Sequence, residues 1–228
     1  MSKNLGELKN TFYFSVCGQI NTEKTLELAI QRTRELNIKK LVVASETGLS
    51  ALKAAKMLKD SKINLIVVTS AAGTKIENTV IGNLRIGISN KKIWDQLEES
   101  GARIVRATDP FYNIGVCLEH KGVPTLATLI RLCLGIISSG TAVCVAATLM
   151  ATDNGLLSEG EEVVAVAGSW VGLDTALVVQ ATNSINLLKA RAMQIREIIC
   201  KPRNPAYSWP INQKDWIGNL EPYAKFTE

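Results

Sequence analysis

A three-layer α/β/α sandwich with a mostly parallel sheet is the fold class that three features of the sequence predict. Uninterrupted apolar runs bounded by turn residues, "LVVAS" (Leu41 to Ser45) and "INLIVVTS" (Ile63 to Ser70), read as strands buried on both faces. A segment with helical spacing separates them, so strand, helix and strand form a βαβ unit and imply parallel pairing. Further on, two segments almost free of charge predict helices buried against the sheet. At 228 residues the chain suits one core, because cores divide only beyond about 250 residues.

In chain order, "TFYFSV" (Thr11 to Val16) predicts a short strand or extended lead-in. Asn21 or Thr22 then caps a helix whose apolar side is Leu26, Ala29, Ile30, Thr33 and Leu36. After the Leu41 strand comes a helix over Ser50 to Lys59, and after the Ile63 strand a Gly-containing excursion, Ala71 to Ile88, without clear periodicity. Ser89 is the expected N-cap of the next helix and Gly101 its stop, followed by a third buried strand in "ARIVRAT". Residues 109–122 read as a loop around Asp109, Pro110 and Gly115.

Leu132 to Met150 carries no charge over about the length of a membrane span. Its centre, Ser138-Ser139-Gly140-Thr141, has the chemistry of a helix stop followed by a new N-cap, which predicts two short buried helices, Thr125 to Ile137 and Thr141 to Asp153. "EEVVAVAGSWVGLDTALVVQA" gives two more strands around a glycine turn, and Ile185 to Cys200 has the spacing of a last amphipathic helix. The expected organisation is one domain over residues 1–203 and a tail over 204–228, rich in Pro and Trp, that packs on the body or a partner.

Composition bounds the function. The net charge of +5 comes from 26 Lys and Arg spread among 21 Asp and Glu, without the basic block that tracks a nucleic-acid backbone. Such a mild positive field suits small phosphorylated or carboxylated ligands. The cysteines Cys17, Cys117, Cys133, Cys144 and Cys200 are scattered, and Met-Ser-Lys-Asn has no apolar signal character, so a reduced, cytoplasmic protein is expected. One histidine, His120, and no CxxC or HxxxH spacing leave no material for a His/Cys zinc site.

The candidate site starts at Ser45-Glu46-Thr47-Gly48-Leu49-Ser50, which leaves a strand, turns at a glycine and enters a helix. Such a junction aims backbone N–H groups and the positive end of a helix dipole at the ligand edge of a parallel sheet, where three hydroxyls can add donors. It lacks the GK[ST] element of a Walker loop and is not a GxGxxG fingerprint. The plainer reading is a turn at Gly48 and a cap at Ser50. A second turn, with Gly168, Ser169, Trp170, Gly172, Asp174 and Thr175, follows another apolar strand; its plainer reading is a connection in which Asp174 and Thr175 satisfy their own backbone. No catalytic residue can be named. His120 falls in a charged surface stretch, Cys17 and Cys117 have no base spaced beside them, and Asp153 reads as a helix-end residue.

Ser45 to Ser50, with Ala51 and a helix after it, resembles the T-x-S-G-x-[ST] loop that holds a phosphate of the allosteric sugar bisphosphate in the pyruvate kinase C-terminal domain; Gly168 to Thr175 is similar to that domain's second glycine loop. Asn21 to Ser45, Met150 to Leu157, Gly168 to Val179 and Ile195 to Arg203 together resemble the stand-alone prokaryotic family of pyruvate-kinase-C-terminal-like proteins, some of which bind flavin mononucleotide (FMN). The resemblance implies FMN or a related nucleotide as ligand, with Asn21 and Thr22 as further contacts. The catalytic barrel has no counterpart in this sequence. Thr47 stands where the family pattern has arginine, Trp170-Val171 where it has Gly-Arg, and Ala142 and Ala146 where it has Lys and Glu. Trp170 can stack on a planar ring or pack against the tail.

Three functions follow as expectations. The first is a binding protein for a small phosphorylated ligand; the second a flavin-dependent oxidoreductase or an enzyme on a sugar or nucleotide phosphate; the third a non-enzymatic assembly subunit. A homo-oligomer is expected, with no nucleic-acid or membrane partner and no metal.

Overall fold

The computed structural model describes residues 6–79, 82–119, 121–205 and 221–226. The strands are β1 (Phe12–Phe14), β2 (Lys40–Ala44), β3 (Asn64–Thr69), β4 (Lys75–Thr79), β5 (Gly82–Arg85), β6 (Arg103–Arg106), β7 (Glu162–Ala167), β8 (Thr175–Gln180) and β9 (Gln194–Pro202). The helices are α1 (Thr22–Glu35), α2 (Leu49–Met57), α3 (Lys91–Glu99), α4 (Val116–Glu119), α5 (Leu126–Gly135) and α6 (Ser139–Asp153).

A seven-stranded sheet in the order β1-β9-β8-β7-β2-β3-β6 forms the middle layer. Its pairings are parallel except where β8 meets β7 and β9. Side chains alternate across a strand, so consecutive residues feed opposite layers. Leu41, Val43, Leu65 and Val67 join Leu26 of α1, Ala51 of α2 and Leu97 of α3 in one cluster. Val42, Ile66 and Val68 join Cys144, Ala147 and Ala151 of α6 in the other. The mostly parallel sandwich expected from the apolar runs is the observed fold.

Four local expectations need correction. The segment read as a helix from Ile185 to Cys200 is a 3-10 turn, Ser184–Asn186, followed by β9. Ala176 pairs with Cys200 and Leu177 with Ile198, then Val178 with Glu197 and Val179 with Ile195, so Ile199 and Arg196 are each an extra residue opposite β8. Two bulges shift the apolar alternation of β9 into a spacing that imitates a helix. The excursion after β3 contains the antiparallel β4–β5 hairpin. The N-cap of α3 is Asn90, whose side chain accepts from Ile93 N, rather than Ser89.

The fourth concerns the uncharged helices. Ser138 caps α6 by accepting from Thr141 N, which breaks the long apolar run into two helices, and no helix among the described residues is long and apolar enough to cross a membrane. Yet only α6 is buried. α5 leaves Leu126, and Ile136 at its C-cap, two-thirds exposed, because it packs as an outer helix with Ile130 and Leu134 turned towards Val145, Ala146 and Leu149 of α6.

Beyond the sheet, residues 221–226 form a 3-10 helix whose Tyr223 and Phe226 are buried in the same cluster as Leu41 and Val43.

Candidate functional site

β2 and β7 are parallel neighbours, Val43 opposite Val166, yet β2 continues into α2 on one face while β7 is reached through α6 on the other. Their carboxyl ends therefore flank a reversal in strand order, the position where open α/β sheets place ligands. The first loop, Ser45 to Ser50, leaves β2 there, and the second, Gly168 to Asp174, leaves β7 beside it. The N-termini of α1, α2 and α6 lie at the same edge, since each helix either follows the carboxyl end of a strand or runs back towards the amino end of one.

Gly48 is the hinge of the first loop. Its φ of 85° is left-handed, and a Cβ there would sit 2.4 Å from Ile93 Cγ2, so the turn needs glycine both for its conformation and for the close approach of α3. Ser45 Oγ accepts from Ala51 N at 3.3 Å, while no side chain at the N-cap closes the start of α2. Glu46 turns away from α2: its carboxylate accepts from Thr69 Oγ1 (3.0 Å), Ser70 Oγ (2.7 Å) and Ser70 N (3.1 Å), and its carbonyl accepts from Ile88 N (2.8 Å). Ser45, Thr47 and Ser50 are buried, whereas Glu46 and Leu49 are partly exposed. Leu49 also packs one side against the core.

The second loop is closed by a buried polar network. Asp174 has no exposed surface, and its Oδ2 accepts from Gly18 N (3.0 Å) and Ser169 N (3.2 Å), while Oδ1 accepts from Thr175 Oγ1 (3.1 Å). Burial pushes the Asp174 carboxyl above its ordinary range, against the opposing pull of the Ser169, Gly18 and Thr175 donors. Thr175 Oγ1 lies 3.1 Å from Ser138 Oγ, which lies 2.8 Å from Thr141 Oγ1. Three segments distant in sequence, the β1–α1 turn, the β7–β8 loop and the start of α6, are tied together by these bonds.

Asn21 and Thr22 meet the second loop rather than the first. Thr22 Oγ1 donates to Gln19 O and accepts from Leu173 N, and Gly172, at φ 86°, lies so close to Gln19 and Thr22 that a Cβ would reach within 2.4 Å of Gln19 Cα. Asn21 occupies the N-cap position of α1 without capping it; its Nδ2 donates to Val16 O at 2.7 Å. Of the second-loop positions, Trp170 is partly buried against the core, and Ser169 and Val171 are buried. Asp174, Thr175 and Thr22 spend their polar atoms on the fold. Ala142 and Ala146 are both buried on α6.

Several groups at this edge were not legible in the sequence. Arg106, at the end of β6, lies over the Trp94 ring at 4.1 Å and donates to Ile88 O at 3.0 Å, one residue contact away from Glu46. The run "ARIVRAT" marked it only as a strand end. Gly18 and Ser138 carried weak signals, a glycine before a helix and a cap. Tyr223 approaches Gln19, and burial pushes its hydroxyl up to about 12, against that hydrogen bond.

Among the described residues, the remaining cysteine and Asp153 candidates form no catalytic pair. His120 lies outside the described residues. Cys17 is buried, with its thiol 3.5 Å from Asn204 O, and Cys117 is exposed. Burial holds the Cys144 thiol well above its ordinary pKa and pushes Cys200 up to about 12, so neither is a thiolate at neutral pH. Asp153 ends α6 and accepts from Ser184 N and Asn183 Nδ2. Among the described residues no cluster of three or more His, Cys, Asp or Glu is placed to hold a metal.

A second concavity lies away from these loops. It encloses about 530 Å³ between α5, α6 and the 107–113 segment, with Asp109, Phe111, Ile130, Met150 and Leu187 in its wall. Burial raises the Asp109 carboxyl, against hydrogen bonds from the Phe111 and Tyr112 backbone.

Compared with families of known proteins, residues 23–179 match the model of the pyruvate kinase alpha/beta domain, a span of well over half the chain. Among solved structures, Cryptosporidium parvum pyruvate kinase in complex with ADP is similar at 14% identity, with a TM-score of 0.37, over 71% of this chain and 24% of that one. The chain therefore spans far less than two thirds of that enzyme.

Proposed function

The chain belongs to the pyruvate kinase alpha/beta domain family, and from that premise we propose that it binds a small phosphorylated ligand, FMN or a related nucleotide, at the carboxyl edge of β2 and β7. The observation that carries the reading is the open start of α2. A helix leaves its first N–H groups without intrahelical partners; here the N-cap is a left-handed glycine with no side chain, and Ser45 Oγ takes only Ala51 N–H, two residues beyond Leu49. A phosphate oxygen placed against Leu49 and Ser50 N–H would receive those donors together with the positive end of the helix dipole.

Two further features support it. Arg106 brings a guanidinium to an edge whose first loop has no lysine or arginine of its own, and it reaches Ile88 O, beside the backbone bond that holds Glu46. Trp170, in the second loop and only partly buried, carries a ring able to stack on a planar ligand. The roles follow from this placement: α2 backbone for the phosphate, Arg106 for charge, Trp170 for stacking, and the Asp174 network for holding the second loop in place. A sugar phosphate and a nucleotide phosphate present the same oxygens to α2, and titration separates them.

The test is a visible absorption spectrum of protein purified without added cofactor, followed by titration with FMN, riboflavin and sugar phosphates. The expected result is uptake of FMN at least about tenfold tighter than riboflavin, since a phosphate held by charge-assisted bonds contributes more than about 1.4 kcal/mol. No binding of any phosphate ester would remove the site. Stabilisation by sugar phosphates alone would keep the cradle and replace the nucleotide.

A further inference from the structure

α5 is amphipathic in the opposite sense to a surface helix. Leu126, Leu129, Leu132 and Ile136 are between about half and two-thirds exposed, at a spacing that lines them along one side. Between Gly122 and Thr152 the chain carries a single charge, Arg131. The segment leading into α5 continues the surface: Gly115 lies against Thr125, Ile114 is 87% exposed, and Leu118 and Val123 are about half exposed. Apolar side chains gathered along one side in this way, rather than scattered singly, mark an interaction surface.

We propose that this face is the contact surface of a homodimer, in which a second copy of the chain packs its own α5 against this one. Two observations favour that occupant. α5 itself carries one charge, Arg131, and the adjoining segment adds only Glu119 and Lys121, of opposite sign, so an unlike partner finds little charge to complement, whereas a two-fold contact needs only self-complementary shape. Protrusion and recess lie side by side: the concavity of about 530 Å³ is bordered by Leu126 and Ile130 of α5 on one side and by Ile185 and Leu187 on the other, with Ile185 and the following Leu188 strongly exposed. In a two-fold arrangement the projecting side chains of each copy enter the recess of the other.

The described C-terminal residues do not compete for the face, because Tyr223 and Phe226 pack in the opposite layer. A membrane surface fits poorly, since an interfacial helix pairs its apolar side with Lys and Arg, and α5 has only Arg131. The surface is independent of the loops at the sheet edge.

The experiment is sedimentation velocity on the full chain across the micromolar range, with and without the double substitution Leu129→Glu, Leu132→Glu. The wild type should sediment as a dimer of 24.8 kDa chains. Because both leucines are already half in water, the variant should keep the wild-type circular dichroism, while the loss of two central contacts weakens association at least about 100-fold. Cys133, exposed on α5, gives a second measurement that leaves the core untouched. In a Cys117→Ser background, which removes the other exposed thiol, a short bis-maleimide should cross-link chains into dimers, and adding Cys133→Ser should abolish the product. A wild type that is monomeric throughout, a dimer that survives the double substitution, or flotation of the chain with lipid vesicles in place of self-association would overturn the proposal.

Discussion

Asp174→Ala removes the acceptor from two buried backbone N–H groups, Gly18 and Ser169, and from the Thr175 hydroxyl. The hydroxyl keeps Ser138 as a neighbour, so the two N–H groups set the cost. Each buried donor left without an acceptor costs about 1–3 kcal/mol, giving a loss of roughly 2–6 kcal/mol. Asp174→Asn differs in a useful way. Both N–H groups converge on one carboxylate oxygen, so an amide oxygen can take them while its NH₂ donates to Thr175 Oγ1, and the expected loss is below about 1.5 kcal/mol.

The two variants also differ in their pH dependence. Burial raises the folded pKa of Asp174 above the unfolded value, so the folded state holds the proton more tightly. Its contribution to stability is then fully present below the ordinary carboxylate pKa and declines as pH rises through the raised folded value. Asn carries no such proton, so Asp174→Asn should gain on the wild type as pH rises across that window. Urea denaturation at a series of pH values measures both effects. Asp174→Ala within about 0.5 kcal/mol of wild type would refute the network as a structural tie, and a pH-independent gap between Asp174→Asn and wild type would refute its ionisation behaviour.

Other outcomes follow from the same geometry. Gly172→Val forces a β-branched residue into a left-handed turn and onto Gln19 Cα, so thermal denaturation should register a loss of about 2–5 kcal/mol. Glu197→Gln breaks the two-pronged pair in which Arg32 Nε and Nη2 donate to Glu197 at 2.8 and 2.7 Å, joining α1 to β9. The Arg32 hydrogen bond holds the Glu197 carboxyl below its ordinary value despite the opposing effect of burial, so its contribution is present above the unfolded pKa and is lost as pH falls through the folded one. Acid denaturation should accordingly separate wild type from Glu197→Gln at neutral pH and bring them together in strong acid. Arg106→Gln should weaken FMN about tenfold at low salt, with a smaller difference at high salt, read by fluorescence titration.

What the sequence disclosed tracks how local the physics is. β2, β3 and β7 were legible because a strand buried on both faces needs an unbroken apolar run, and Gly48 because a tight strand-to-helix turn needs a residue that tolerates positive φ. β9 was misread because two bulges, at Arg196 and Ile199, restore the facing of side chains in space while erasing period two in sequence. The outward face of α5 was hidden for a different reason: apolar residues predict burial, and nothing in one chain distinguishes burial against the sheet from exposure on an outer helix. At the site, both loops were visible as glycine turns. Their support was not, since Gly18, Asp174 and Ser138 are bonded across separations of 156 and 37 residues for the pairs Gly18–Asp174 and Ser138–Thr175.

The central claim is that the start of α2 receives a phosphate, and Leu49 is the position that tests it most directly. Leu49 is the first residue of α2 and is partly exposed, so Leu49→Glu places a carboxylate where the helix dipole favours one and where it can occupy the free N–H groups itself. Leu49→Gln has the same size without the charge. Calorimetric titration of FMN into wild type, Leu49→Gln and Leu49→Glu should give binding to the first two and a loss of at least about tenfold in the third, with all three still folded by circular dichroism. Equal affinity for FMN in Leu49→Glu and Leu49→Gln would contradict the account, because no phosphate could then be sitting at that helix end.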